Sequence, residues 1–260
     1  MQHLNYCRQM VKQFQNILTV PSVPAIAKGR MEHCITLAGV AQKFLLPDRG
    51  YFLDDENFRA LDETQPLRLP FRNIALEFSY PKVASSGKDV SSKRIVFAND
   101  GDHDDYILIR SVTYADHLGM WACWMACGIP RVNYLDRTPS PVGVPGIFLR
   151  QMERSQQALS ELEDVEYEAR VLLGMINALT CSNVKLERSS EGRTRRAMCK
   201  KGALPFDDYH VLTIESPSGK TGEGIGKNGD HRSPREHLRR GHIRRYESGA
   251  KIWVNATVVN

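Results

Sequence analysis

Apolar residues recur at spacings of three and four along the first twenty positions: Leu4, Cys7, Val11, Phe14 and Leu18. That stripe predicts an amphipathic helix ended by Pro21. Pro21 and Pro24 bracket an extended link, after which Ile35, Leu37, Ala38, Ala41, Phe44 and Leu45 predict a second helix stopped by Pro47. From Asp48 to Pro70 acidic and aromatic residues mix without a period, as in a loop holding at most one helical turn.

The period then changes. Ile74, Leu76, Phe78 and Tyr80 alternate with Ala75, Glu77 and Ser79, the two-residue repeat of a half-buried strand. Lys82 to Ser92 is serine-rich and reads as a loop. Ile95 to Ala98 and Tyr106 to Thr113 flank Asn99-Asp100-Gly101, whose glycine accepts positive φ, so the pair predicts a hairpin. Met120, Trp121, Trp124 and Met125 lie in the longest apolar run, Leu118 to Ile129, and predict a further strand or a buried helix beneath the sheet. The run is about half the ~20 residues of a spanning helix, so no membrane segment is expected. Arg131 to Gly146, punctuated by proline, reads as a surface link.

Ala169, Leu172, Leu173, Ile176 and Leu179 mark the buried stripe of a helix over 150–181. Glu161, Glu163, Asp164, Glu166 and Glu168 precede or begin that stripe, near the helix N-terminal half where the macrodipole favours carboxylates. Tyr209 to Ile214 reads as a strand, and Glu215 to Asp230 as a glycine-rich loop. Arg240 to Tyr246 and Lys251 to Val259 predict a hairpin around a four-residue turn, Glu247 to Ala250. Ile252, Val254, Ala256 and Val258 would meet the core, while His242, Arg244 and Tyr246 project outward beside Arg235 and Arg239 from a preceding loop or helical turn. Together the elements predict an α+β protein: a mainly antiparallel sheet, an N-terminal helical part over 1–47, and a long central helix packed on the sheet. Residues 48–260 would form an α+β domain with a basic C-terminal hairpin.

Composition adds little to this until its distribution is considered. The chain has 260 residues, 42% of them hydrophobic, enough for a core of ordinary size. Its net charge of +5 is a weak guide to partners, but the basic excess is concentrated after Arg188. Arg188, Arg193, Arg195, Arg196, Lys200 and Lys201 form a first basic stretch, a solvated loop or a second arm of an anion site. Then come Arg232, Arg235, Arg239, Arg240, Arg244, Arg245 and Lys251, with His231, His237 and His242 threaded between them and only Asp230, Glu236 and Glu247 opposing. Six cysteines without a disulfide-framework spacing, and the lack of an apolar leader, point to a reducing cytoplasm. Cys123 and Cys127 have no partners at zinc spacing and read as core thiols.

Guanidinium groups suit phosphate because a planar fork of donors matches two oxygens, and the charge persists at any working pH. Arg232, Arg235, Arg239, Arg240, Arg244, Arg245 and Tyr246 are therefore the candidate ligand-binding residues, for a nucleic acid, a nucleotide or another phosphate-bearing ligand. Two imidazoles beside such a cluster can divide acid and base work, which makes His237 and His242 candidate catalytic residues of a metal-free nuclease or phosphodiesterase. Whether the protein is an enzyme stays open. A third reading is a module that binds and inhibits a host protein. A structural reading competes with all three: Glu161 to Glu168 could neutralise the late arginines inside the fold.

No cofactor or metal is expected. Asp100, Asp102 and Asp104 alternate as in a calcium loop, but Asp105 stands where the loop needs glycine and Ser111 where it needs a bidentate Glu. Gly219-Lys220-Thr221 lacks the earlier glycine of a phosphate loop, where Ile214 sits. Gly224, Gly226 and Gly229 match a dinucleotide fingerprint in letters only.

Three stretches are similar to those of a known group: LPFRNIALEF (Leu69 to Phe78), KKGALPFDDYHVLTI (Lys200 to Ile214) and HRSPREHLRRGHIRRYESGAKIWVNATVV (His231 to Val259). They resemble uncharacterised proteins of bacteriophages, prophages and other mobile elements that carry an RxHxRRGHxRR-like C-terminal signature. The matching positions are Arg235, His237, Arg239, Arg240, Gly241, His242, Arg244 and Arg245. The resemblance implies a phage or prophage origin and action in the cytoplasm of an infected cell, in host regulation or against host defence. It brings no catalytic role.

Overall fold

A computed structural model describes residues 5–50, 67–83, 89–100, 105–116, 118–132, 140–141, 156–189, 209–214, 237–239, 242–254 and 257–259. In chain order these form helices α1 (Tyr6–Leu18) and α2 (Ala25–Val40), strand β1 (Gln42–Leu45) and a short 3-10 turn at Asp48–Gly50. Strands β2 (Asn73–Val83), β3 (Asp89–Asn99), β4 (Tyr106–Ala115), β5 (Met120–Pro130) and β6 (Ser140–Pro141) follow, then helix α3 (Gln156–Leu179). Strands β7 (Val184–Ser189), β8 (Tyr209–Ile214), β9 (His237–Arg239), β10 (His242–Arg245), β11 (Lys251–Val254) and β12 (Thr257–Val259) complete the order.

Eight strands make one sheet in the order β6-β5-β4-β3-β2-β1-β8-β7. It is antiparallel except at β1, which runs parallel to both β2 and β8. Helices α1 and α2 cover one face and α3 the other. On the first face Met10, Phe14, Cys34 and Leu37 pack on Ala75, Ile95, Phe97 and Trp121. On the second, Leu172, Leu173, Met175 and Ile176 pack on Leu76, Phe78, Val96 and Ile109. The predicted α+β class with a mainly antiparallel sheet holds, and the central strands are buried on both faces.

Several predicted boundaries move. The second helix ends at Val40, and Gln42–Leu45, predicted as its last turn, is a strand. Helical spacing of Ala41, Phe44 and Leu45 is equally compatible with a short, doubly buried parallel strand, and pairing on both sides decides it. Part of the predicted loop after Lys82 is strand, because β2 and β3 pair as a long hairpin through Val83↔Asp89. The apolar run after Leu118 is strand β5, not a helix. Among the described residues, no helix is long and apolar enough to cross a membrane.

Two buried polar clusters lock the layers together. On the α1 face, Glu77 is 0% exposed. Its Oε2 accepts from the Tyr6 backbone N–H (2.8 Å) and the Tyr209 hydroxyl (2.7 Å), and its Oε1 from the Cys7 N–H (2.9 Å). Asn5, in the left-handed region at φ 56°, makes no side-chain cap, so a carboxylate from the sheet satisfies the first amides of α1. On the opposite face, Arg94 of β3 meets Glu168 of α3 at 2.7 Å, with side chains 2% and 0% exposed, and the Ser111 hydroxyl donates to the same carboxylate. Gly50 lets α3 close in: at φ +67°, an added Cβ would lie 2.8 Å from Val171 Cγ1.

These clusters generate two expectations. Glu168→Ala leaves Arg94 buried without its carboxylate and should lower unfolding free energy by about 3–5 kcal/mol. The pair Arg94→Met with Glu168→Leu should recover most of that loss, both read by urea denaturation. Burial raises the Glu77 pKa above its ordinary value of 4.5, against the opposing pull of donors from Cys7, Tyr209 and Tyr6. A raised carboxyl pKa in the fold means its contribution is present in full below the unfolded value and is lost as pH rises through the folded value. Wild-type stability, measured in urea from pH 4 to 8, should carry this downward component, and Glu77→Gln should lack it.

Candidate functional site

The basic C-terminal segment folds as two short antiparallel ribbons. In one, β10 and β11 pair with His242 opposite Val254, Ile243 opposite Trp253, Arg244 opposite Ile252 and Arg245 opposite Lys251. In the other, β9 and β12 pair with Val259 opposite His237, Val258 opposite Leu238 and Thr257 opposite Arg239. The stretch ending at Arg239, predicted as loop or helical turn, is thus a strand at its end, and the predicted single strand from Lys251 to Val259 is two.

The β10–β11 connection is tighter than predicted. The Gly249 N–H donates to the Tyr246 carbonyl (2.9 Å) and the Tyr246 N–H to the Ala250 carbonyl (3.0 Å). That is a turn of Tyr246 to Gly249 followed by a bulge at Gly249, whose φ is +80°. Three residues, Glu247, Ser248 and Gly249, therefore separate the closing pair, instead of the predicted four.

Register also corrects the predicted faces. Residues directly opposite in an antiparallel ladder share a face, so Arg244 lies on the face of Ile252 and not on the one behind it. Arg244 is exposed and Ile252 half-buried. Tyr246 is 44% exposed. His237 and Arg239 stand on β9, and His242 and Arg245 on β10, so the two candidate catalytic imidazoles belong to separate ribbons. Arg232, Arg235 and Arg240 lie outside the described residues.

The β10–β11 ribbon docks at one end of α3. The Lys251 carbonyl accepts from the Ser182 N–H (2.9 Å) and the Ser182 hydroxyl (3.1 Å), just after the helix ends at Leu179. Glu168 lies about three turns back, roughly 17 Å along the axis, and Glu161 roughly 27 Å. Glu168 is engaged by Arg94, and Glu166 by Arg170 at 3.0 Å. Glu166 and Glu168 thus face other partners, well back along the helix from the ribbon's anchor.

Two further features bear on ligand chemistry. Asp100, the first position of the calcium-like turn, has its Oδ1 held by Arg131 at 2.9 Å; residues 101–104 lie outside the described residues. Between α1 and α2 runs a groove of about 650 Å³, floored by Cys7, Val11 and Ile35 and edged by Lys12 and Lys43. Lys43 Nζ donates to the Ala38 carbonyl at 3.0 Å.

Cys7 and Cys34, both buried, and Cys123 of β5, partly buried, all belong to the layer where α1 and α2 pack on the sheet. Cys127 is a core thiol as expected, and Cys123, partly buried, packs against the other core cluster.

The chain matches no protein-family model, no curated protein and no solved structure.

The hairpin geometry rests on one backbone conformation that only glycine adopts freely. Gly249→Ala has open space for its Cβ but a φ that costs about 1–2 kcal/mol for an L-residue. Amide exchange at Arg244 and Ile252 should accelerate by about fivefold or more, and Gly249→Asn, which tolerates the left-handed region, should recover part of the protection.

Proposed function

We propose that the protein binds nucleic acid or another phosphate-bearing ligand through the Arg/His surface of its C-terminal ribbons. The observation that carries this reading is the register that sets Arg245 directly opposite Lys251. Like charges directly opposite each other destabilise a ladder. A phosphate held across the pair turns that repulsion into two attractions, and Arg244, exposed on the opposite face of the same strand, offers a second cationic contact for an extended ligand. The engagement of Glu166 and Glu168 elsewhere favours this over a surface neutralised from within. Tyr246, exposed next to Arg245, supplies a ring on which a base can stack.

The phage and prophage resemblance of the same segment supports a setting in an infected cell, where such binding would serve host regulation or anti-defence. Cleavage is not part of this proposal, which rests on charge; His237 stands on β9 and His242 on β10.

Affinity for short single-stranded RNA and duplex DNA, measured from 50 to 300 mM salt, tests it. A negative log–log slope is expected, reduced by about 1 in each of Arg244→Ala and Arg245→Ala. Lys12→Ala, which removes a cation from the α1–α2 groove, should leave both affinity and slope unchanged. A wild-type slope near zero, or an equal loss in Lys12→Ala, would remove the proposal.

A further inference from the structure

We infer that the groove between α1 and α2 binds an amphipathic anion, a medium-chain aliphatic carboxylate, with its chain on the apolar floor and its carboxylate held by Lys12 and Lys43. The groove is built from the N-terminal helical layer and β1 alone. The inference therefore stands apart from the phosphate-binding reading of the C-terminal ribbons.

Cys7, Val11 and Gln15 recur at spacings of four along α1 and form one strip on the helix surface, about 12 Å long. Ile35, Ala38 and Gly39 of α2 line the other side. Val11 and Ile35 pack against the core of this layer from its edge and stay half-buried, whereas Met10, Phe14, Cys34 and Leu37 are buried in it. Apolar surface is thus left on both walls. Glycine at position 39 keeps the α2 side open: a Cβ added there meets no atom within 4 Å. At about 650 Å³ the groove falls within the roughly 300–1,000 Å³ typical of small-molecule sites.

The charge around it has one sign. Arg8, Lys12 and Lys43 all line the groove, and no acidic side chain does. Lys12 is exposed. Lys43 of β1 donates from its ammonium to the Ala38 carbonyl at 3.0 Å, which fixes a cation beside the apolar wall of α2. That bond takes one of the three N–H donors of an ammonium, and the others can serve a ligand oxygen. A cationic edge over an aliphatic floor selects a molecule with one anionic end and one apolar end. The lining holds no aromatic side chain, so a nucleobase finds no ring to stack on, and a docked protein finds no Trp or Tyr of the kind that anchors interfaces. A straight aliphatic carboxylate needs neither. Its chain covers Val11 and Ile35 while its head group meets the two ammoniums.

The test is titration calorimetry of the full-length protein at neutral pH and low salt with decanoate, hexanoate and decyltrimethylammonium, each below its micelle concentration. Decanoate should bind saturably. Hexanoate should bind at least about tenfold more weakly, since each methylene taken out of water contributes up to about fourfold, and the cationic amphiphile should not bind. Gly39→Leu fills the groove and should weaken decanoate by about tenfold or more. Leucine is the better helix former and has open space at this position, so the variant should unfold at no lower a temperature than wild type. Lys12→Ala, at an exposed position, should weaken decanoate by about twofold to fivefold. No saturable binding of decanoate, equal binding of decyltrimethylammonium, or wild-type affinity in either variant overturns the inference.

Discussion

One buried carboxylate fixes the topology of this protein. Glu77 sits at the centre of the sheet with no solvent contact and takes hydrogen bonds from the first turn of α1 and from Tyr209 of β8. The Tyr209 hydroxyl in turn accepts from the Asn5 N–H at 2.8 Å. The beginning of the chain, a central strand and a strand from its last quarter thus meet on two oxygen atoms. A carboxylate in that position is expensive to bury, and it is tolerated because each donor around it would otherwise be an unsatisfied buried group. Between β2 and β8 runs β1, the sheet's parallel strand, and the Glu77–Tyr209 bond spans it on the α1 side. That bond is a side-chain clasp across the part of the sheet where no hairpin turn sets the register.

The second clasp acts through α3. Its apolar stripe alone would let the helix slide by a turn against a sheet face made of similar aliphatic side chains. Arg94 and Glu168 remove that freedom, since a one-turn shift would leave two charges buried without each other. The axial position of α3 sets where its C-terminal end falls, and there Ser182 grips the Lys251 carbonyl. The placement of the basic ribbon is in this way a consequence of an ion pair on the far side of the same helix.

The sequence pattern carries part of this and not the rest, for identifiable reasons. Alternation at Ile74 to Tyr80 and the stripe from Ala169 to Leu179 lead to β2 and α3, because each has one unambiguous period. Gln42 to Leu45 misleads, since four residues fit either period and only pairing with Ile74 to Glu77 on one side and Tyr209 to His210 on the other resolves it. Glu77 and Ala75 look like the solvent face of a half-buried strand; nothing local says that two helices cover them. The richness of the late segment in arginine is plain from composition, whereas its faces depend on a register that one bulged glycine sets.

Electrostatics at the end of α3 shows why a ribbon of this charge is stable there at all. The helix C-terminus presents the equivalent of about half a negative charge, which favours Lys251 beside it. That is far less than the charge of Arg244, Arg245 and Lys251, opposed within the ribbon by Glu247 alone. The excess is held in place by backbone bonds, two at Ser182 and two across the Tyr246 turn, none of which requires a carboxylate.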